Sequence, residues 1–263
     1  MNRPPPFKDR VRRGRPSSGN RPGRPQDDLL RVGGLPAVTA LFEKAPERVE
    51  RLFFLPERRR EATGFTAALG RAHKPYREVG TDELAKVAGT VLHGGIVALA
   101  RPRPVLEFNP AAAAVPLLLI LDGVGNPHNF GAIVRTAAFF GLDRIVISDH
   151  PSQAAPSPAA YRVAEGGLEF VDTYRAKSLP AVLRRLRPRF RVIGTALGQG
   201  KPLAALPRDK PLALVLGNEE RGLDAATLAA CDGLVTLPGV GRVQSLNVAA
   251  AAAILIHALS GKP

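Results

Sequence analysis

Three short stretches of this chain set polar side chains where chemistry can be done. The first runs from Leu121 to Ala137 and crosses from an apolar run into a helical pattern, the edge of an α/β sheet at which ligands usually bind. Asn129 stands as a cap for that helix, and Arg135 follows within it. Their separation turns a helix through about 600°, so the two side chains point about 120° apart rather than along one line. Arg135 interrupts an apolar face of Ala132, Ile133, Ala137 and Ala138, where a guanidinium needs a carboxylate, a phosphate or an open site. A capped helix with an ordinary surface arginine has the same pattern.

The second stretch, Leu214 to Leu223, is a strand running into Gly217 and then Gly222. Such a backbone turns sharply and can lie against a ligand, with Glu219 in the turn as an acceptor; a plain turn is the alternative. No Gly-Lys-Ser/Thr follows, so this is not a P-loop, and no GxGxxG opens a first βαβ unit. Gly239 and Gly241 lead into Arg242, Val243, Gln244 and Ser245, a poor match to a dinucleotide site. The third stretch, Leu237 to Asn247, enters an alanine-rich helix that Ser245 or Asn247 can cap. Residues 248–256 are small and apolar nearly all round. That predicts a buried helix whose alanines admit the close approach of another backbone or subunit.

The elements around these stretches alternate. Leu117–Leu121 is a continuous apolar run, suited to a parallel strand covered on both faces. A helix is expected over Asn129–Phe140, and strands over Arg144–Ser148, Phe190–Thr195, Leu212–Gly217 and Gly233–Leu237. Helices are expected over Leu179–Leu186, Leu223–Ala230 and Asn247–Leu259, a loop over 151–160, and no clear assignment over Gly167–Phe170. Residues 115–263 therefore form a mostly parallel sheet flanked by helices. Residues 31–100 read as a smaller α/β module, with helices over Pro36–Lys44, Glu57–Arg71 and Thr81–Val87 and strands over Val49–Leu55, Tyr76–Val79 and Ile96–Leu99; Thr81 looks like a helix start. Closely spaced prolines make 101–114 a linker. Residues 1–30, with eight Lys or Arg and six Pro, read as a disordered basic tail that adds phosphate attraction or solubility.

Charge narrows the partners. Lys and Arg outnumber Asp and Glu by 37 to 23, giving +14, a field that attracts polyanions, nucleic acid first among them. With Cys231 the one cysteine, no intrachain disulfide or multi-cysteine zinc cluster can form. Histidines 73, 93, 128, 150 and 257 have no metal-site spacing, so no metal is expected. No signal segment or membrane span is visible, and a cytoplasmic protein is the expectation.

Together and in this order, the three stretches resemble the signature motifs of the SpoU/TrmH superfamily of RNA ribose 2′-O-methyltransferases. The resemblance covers most of residues 115–259. Residues 31–100 resemble the ribosomal-protein-like substrate-binding domain that often precedes it, with Gly34–Val38 and Leu92–Val97 as weaker marks. It implies an α/β fold whose C-terminal methyltransferase domain holds a deep trefoil knot, S-adenosyl-L-methionine bound in that knot, and a homodimer with its active site near the interface. The family's site residues fall on Asn129 and Arg135, on Gly217 and Glu219, and on Ser245, Leu246 and Asn247. Backbone contacts to the methyl donor are expected from Thr195, Gly217, Leu237 and Leu246. Three residues depart from the pattern: Glu220 stands where glycine is frequent, Gly94 where glutamine is often found, and Glu165 where serine is common.

The implied reaction is methyl transfer to the ribose 2′-OH of a nucleotide in tRNA or rRNA. Arg135 would hold the adjacent phosphate and stabilise the developing oxyanion; an arginine stays protonated in water and is a poor base. Asn129 and Glu219 would position it and the ribose, while Ser245 and Asn247 shape the site. Arg58 to Arg60 and the basic 184–189 region would grip phosphates without reading bases. The alternatives are a catalytically inactive RNA-binding protein of the same fold and an RNA base methyltransferase.

Overall fold

In a computed structural model, which describes residues 29–260, the chain forms two sheets, each with its own helices. The basic tail lies outside the described residues except at its last two positions. Leu30 already belongs to a strand, β1 (Leu30–Gly33), in which Leu30 and Val32 are buried on either side of an exposed Arg31. Alternation over so few residues has too little length to stand out beside a proline-rich segment.

The small sheet continues with α1 (Leu35–Lys44), β2 (Val49–Phe54), α2 (Arg59–Arg71), β3 (Tyr76–Glu78), α3 (Thr81–Ala88) and β4 (Ile96–Ala100). Its order is β1-β4-β2-β3, with β4 antiparallel to both neighbours. α3 does begin at Thr81, with Gly80 in the cap position and no side chain capping the helix.

The large sheet comprises β5 (Leu106–Glu107), β6 (Leu117–Leu121), β7 (Arg144–Ser148), β8 (Asp172–Ala176), β9 (Arg191–Thr195), β10 (Lys201–Pro202), β11 (Leu212–Leu216) and β12 (Gly233–Thr236). All eight are parallel, in the order β10-β12-β9-β11-β6-β7-β8-β5. Every residue of β6 and β11 is buried, as a strand between two helix layers requires. The stretch expected to be a linker contributes β5 to the sheet edge, paired with β8. The helices are α4 (Pro127–Phe139), α5 (Pro158–Ala164), α6 (Gly167–Phe170), α7 (Leu179–Leu186), α8 (Ala225–Ala230) and α9 (Val248–Leu259). Among the described residues no helix is long and apolar enough to cross a membrane.

The start of α4 differs from expectation, and the site depends on it. Asn126, not Asn129, is the cap: its side chain accepts from the His128 backbone N–H at 2.8 Å, and Pro127 opens the helix. Proline suits that position because its missing N–H would have no helical partner there. Phe130, Ile133, Val134 and Ala137 then form the buried stripe, at the spacing of one helix face. Gly141, at φ 72°, ends the run.

The two sheets are joined through helices. α1 packs on α5 and α6, and α4 packs on α5, α6 and α9. Beneath this contact Arg48 Nη1 meets Glu169 Oε2 at 2.6 Å, with side chains 11% and 1% exposed. α9 is covered on the side of Val248, Ala252, Leu255, Ile256 and Leu259 but leaves Ala250, Ile254 and His257 exposed. In a single chain it is buried on one face rather than all round.

Candidate active site

Three loops meet at the C-terminal edge of the large sheet. The first follows β6, the second follows β11 and the third follows β12, leading into α9. With Asn126 doing the capping, Asn129 sits in the first turn of α4 with its amide free to reach sideways. Its Nδ2 donates to Glu219 Oε1 at 2.7 Å, and its Oδ1 accepts from Asn247 Nδ2 at 3.0 Å. The directions are fixed from the far end. Asn247 Oδ1 caps α9 by accepting from the Ala249 N–H at 2.8 Å, so its Nδ2 must donate; Asn129 must then accept with oxygen and present N–H groups to the carboxylate. One residue from each of the three polar stretches is thereby linked.

The second loop is held in shape by Asn218. Its Nδ2 donates to the Gly123 carbonyl at 2.8 Å, tying the loop to the one after β6. Its Oδ1 accepts from the backbone N–H groups of Glu220 and Arg221. Gly217 is required sterically: a Cβ there would stand 2.5 Å from the Gly222 carbonyl carbon and 2.7 Å from Leu223 N. The backbone doubles back on itself at that point, and any side chain would spread the turn.

Thr195, Gly217 and Leu237 lie at or just beyond the ends of β9, β11 and β12, three neighbouring parallel strands. Thr195 Oγ1 donates to the Val215 carbonyl at 3.2 Å. Leu246 is half exposed and Ser245 exposed in the loop that leads to Asn247. A separate cavity of about 260 Å³ opens between the ends of β6, β7 and β11, lined by Asp122, His150, Asn218 and Glu220 among others. Glu219 is turned away from it, toward Asn129.

Arg135 does not join this cluster within one chain. Its Nη2 lies 2.9 Å from Glu165 Oε2, with both side chains about half in water. It shares the outer face of α4 with Phe139, one turn on, which is 83% exposed. The other basic groups divide. Arg59 is held by both oxygens of Glu78, Arg58 pairs with Glu61, Arg187 pairs with Asp232 and Arg189 donates to the Ala111 carbonyl. Arg60, Arg184 and Arg185 are exposed. Cys231 has no part in the site: burial, with Asp232 adding to it, pushes its thiol up to about 11, leaving a poor nucleophile.

Comparison with known proteins supplies the family and the fold. A profile of the SpoU rRNA Methylase family matches residues 116–257, and one for RNA 2′-O ribose methyltransferase substrate binding matches residues 31–106. The chain is 35% identical over 240 residues to the "uncharacterized tRNA/rRNA methyltransferase YfiF" of Escherichia coli O157:H7, covering 89% of this chain and 68% of that protein. It is 34% identical over 236 residues to the 23S rRNA (guanosine-2′-O-)-methyltransferase RlmB of Acinetobacter baylyi, covering 85% and 94%. Among solved structures, a putative RNA methyltransferase of the TrmH family from Porphyromonas gingivalis matches with a TM-score of 0.66 at 27% identity, over 89% of this chain and 90% of that one. The SpoU methyltransferase AviRb from Streptomyces viridochromogenes, solved with AdoMet, shares the fold with a TM-score of 0.70 at 24% identity, over 92% and 93%.

Proposed function

Because the chain belongs to the SpoU rRNA methylase family, we propose that it transfers a methyl group from S-adenosylmethionine to the ribose 2′-OH of a nucleotide in tRNA or rRNA. The observation that carries this reading is the hydrogen-bonded run Asn247–Asn129–Glu219, which gathers the three polar loops at one sheet edge. The donor fits the ends of β9, β11 and β12. There Gly217 leaves bare backbone on a turn too tight for a Cβ, and a crevice at the carboxyl ends of parallel strands is where α/β sheets hold nucleotides. Thr195, Gly217, Leu237 and Leu246 would hold it.

S-adenosylmethionine supplies a methyl carbon on a sulfonium, an excellent leaving group. The protein's task is then to orient a weak hydroxyl nucleophile and stabilise its oxygen as the proton leaves. Asn129 and Glu219 position the ribose, and Ser245 and Asn247 shape the wall behind it. Arg135 holds the neighbouring phosphate and stabilises the developing oxyanion, an electrostatic role that suits a group protonated in water.

Since Arg135 sits on the outer face of α4, we place the working site between two copies of the chain. Phe139 and Ile254, with Val240, Val243 and Leu246 of the third loop, are large apolar side chains left exposed on α4, α9 and the loop feeding it. A self-complementary dimer through this patch is the simplest way to cover it, and would bring Arg135 toward the partner's cleft. The family resemblance carries a deep trefoil knot for this domain, within which the chain leaves β12 beyond β9 and returns to pack α9 on α4. Residues 31–100 serve as the RNA-binding domain, residues 115–263 carry the reaction, and Arg60, Arg184 and Arg185 attract phosphates. A cytoplasmic setting is part of the same proposal.

The relatives named for 23S rRNA make that molecule the first acceptor to assay. Purified protein should move label from tritiated S-adenosylmethionine into rRNA or tRNA from cells lacking the gene, and nucleoside mass analysis should find the methyl on ribose. Arg135→Ala should bind the donor normally and lose turnover by about a hundredfold or more. Label on a base, or normal turnover by the variant, would refute the reading.

A further inference from the structure

Glu165 ends α5, standing at its C-cap. Its backbone lies in the left-handed region, at φ 44° and ψ 46°, which glycine and asparagine enter more readily than glutamate. The side chain has a partner that accounts for the choice, since it is the carboxylate that meets Arg135 at 2.9 Å.

The turn that carries Glu165 is clamped from two sides. A Cβ on Gly166 would come within 2.8 Å of the Ala40 Cβ and 3.1 Å of the Pro36 carbonyl oxygen, both on α1 of the small domain. A Cβ on Gly167 would come within 3.2 Å of the Arg135 Cα itself. The backbone under Glu165 is therefore fixed between the small domain and the helix that bears Arg135. An ion pair about half in water adds little to stability. What it supplies is direction, because it biases a long, flexible arginine toward one orientation before RNA arrives.

We propose that Glu165 is a positioning residue for methyl transfer, meeting the Arg135 guanidinium through one Nη and leaving its Nε and Nη1 donors for the ribose oxygen as charge develops on it. The inference rests on Arg135 being the group that binds phosphate and stabilises the oxyanion. Glu165 touches neither donor nor acceptor; it acts through Arg135, and its effect belongs in kcat at saturating RNA rather than in affinity.

The test uses the full-length protein, tritiated S-adenosylmethionine, and bulk tRNA and rRNA from cells lacking the gene. Glu165→Gln and Glu165→Gly should each lower kcat about tenfold while KM for RNA moves less than about twofold. Glu165→Asp keeps the charge in a residue that tolerates this backbone, and should stay within about threefold of the parent. Glu165→Gly also relaxes the left-handed backbone, so its thermal midpoint should equal or exceed the parent's while turnover falls; a merely structural role would lower both. Normal turnover by Arg135→Ala would remove the underlying reading and this proposal with it. Loss in Arg135→Ala with unchanged or raised kcat in Glu165→Gln would overturn the positioning role alone, as would a higher KM at constant kcat. Should the Gln variant fail to fold, the Asp and Gly variants decide.

Discussion

Asn129 holds two neighbours with one amide, donating from Nδ2 to Glu219 and accepting at Oδ1 from Asn247. Aspartate has nearly the same shape but no donor, so Asn129→Asp would set two carboxylates against each other at hydrogen-bond distance. Turnover should fall by about a hundredfold, against a loss of at most about 1 kcal/mol in stability at this partly exposed position; parallel rate measurements and melts check it. Wild-type turnover by this variant would remove Asn129 from the machinery. Of the site, the sequence made the residue types legible, since Asn129, Glu219 and Asn247 do meet. It did not make their jobs legible. Asn126 and Asn129 both suit a helix cap, and the choice falls to Pro127 between them, whose ring fits the first helical position and moves the start of the helix upstream. Glu165 was visible as a departure from pattern, but its partner Arg135 is brought to it by packing between α4, α5 and α6 rather than by spacing along the chain.

The helices α4 and α9 pack on each other, and each leaves a large apolar side chain exposed, Phe139 and Ile254. Phe139→Glu puts a charge on the outer face of α4 without touching the buried stripe, because Phe139 is 83% exposed in the single chain. The variant should run as a monomer by light scattering, keep its thermal midpoint measured as a monomer, and lose methyl transfer. A dimer of unchanged affinity would place the interface elsewhere. Periodicity found most helices and the buried strands to within a few residues, because their stripes are long. It could not find β5, where two residues pair with β8, nor choose the covered face of α9, whose apolar residues run nearly all round. A pattern without contrast has no direction.

At the scale of the whole molecule, the small domain is locked to the large one by Arg48 and Glu169. Arg48 Nη2 and Glu169 Oε1 are buried with no hydrogen-bond partner among the described residues, so the pair is costly to keep and costlier to break. Glu169→Gln should destabilise by about 3–5 kcal/mol, as removing one member of a buried pair does, and a melt would read it; a change under about 1 kcal/mol would mean the pair is solvated. Tyr161 lies in the same junction, pushed up to about 12 by burial, with the Glu169 charge adding to it. A raised tyrosine contributes its full stability below pH 10 and loses it as pH climbs toward 12, an alkaline loss of roughly 2–3 kcal/mol. Tyr161→Phe should flatten that limb, and an unchanged alkaline profile would assign it to other groups.

The run of amides from Asn247 through Asn129 to Glu219 also sets a timetable. Glu219 and Asn129 emerge from a translating ribosome well before Asn247, and the amide that completes the trio comes with the final helix. A half-made chain therefore lacks one of the three groups and cannot yet close the run. Chains arrested before codon 247 should show no transfer, and release of the full polypeptide should switch the activity on after a delay set by folding.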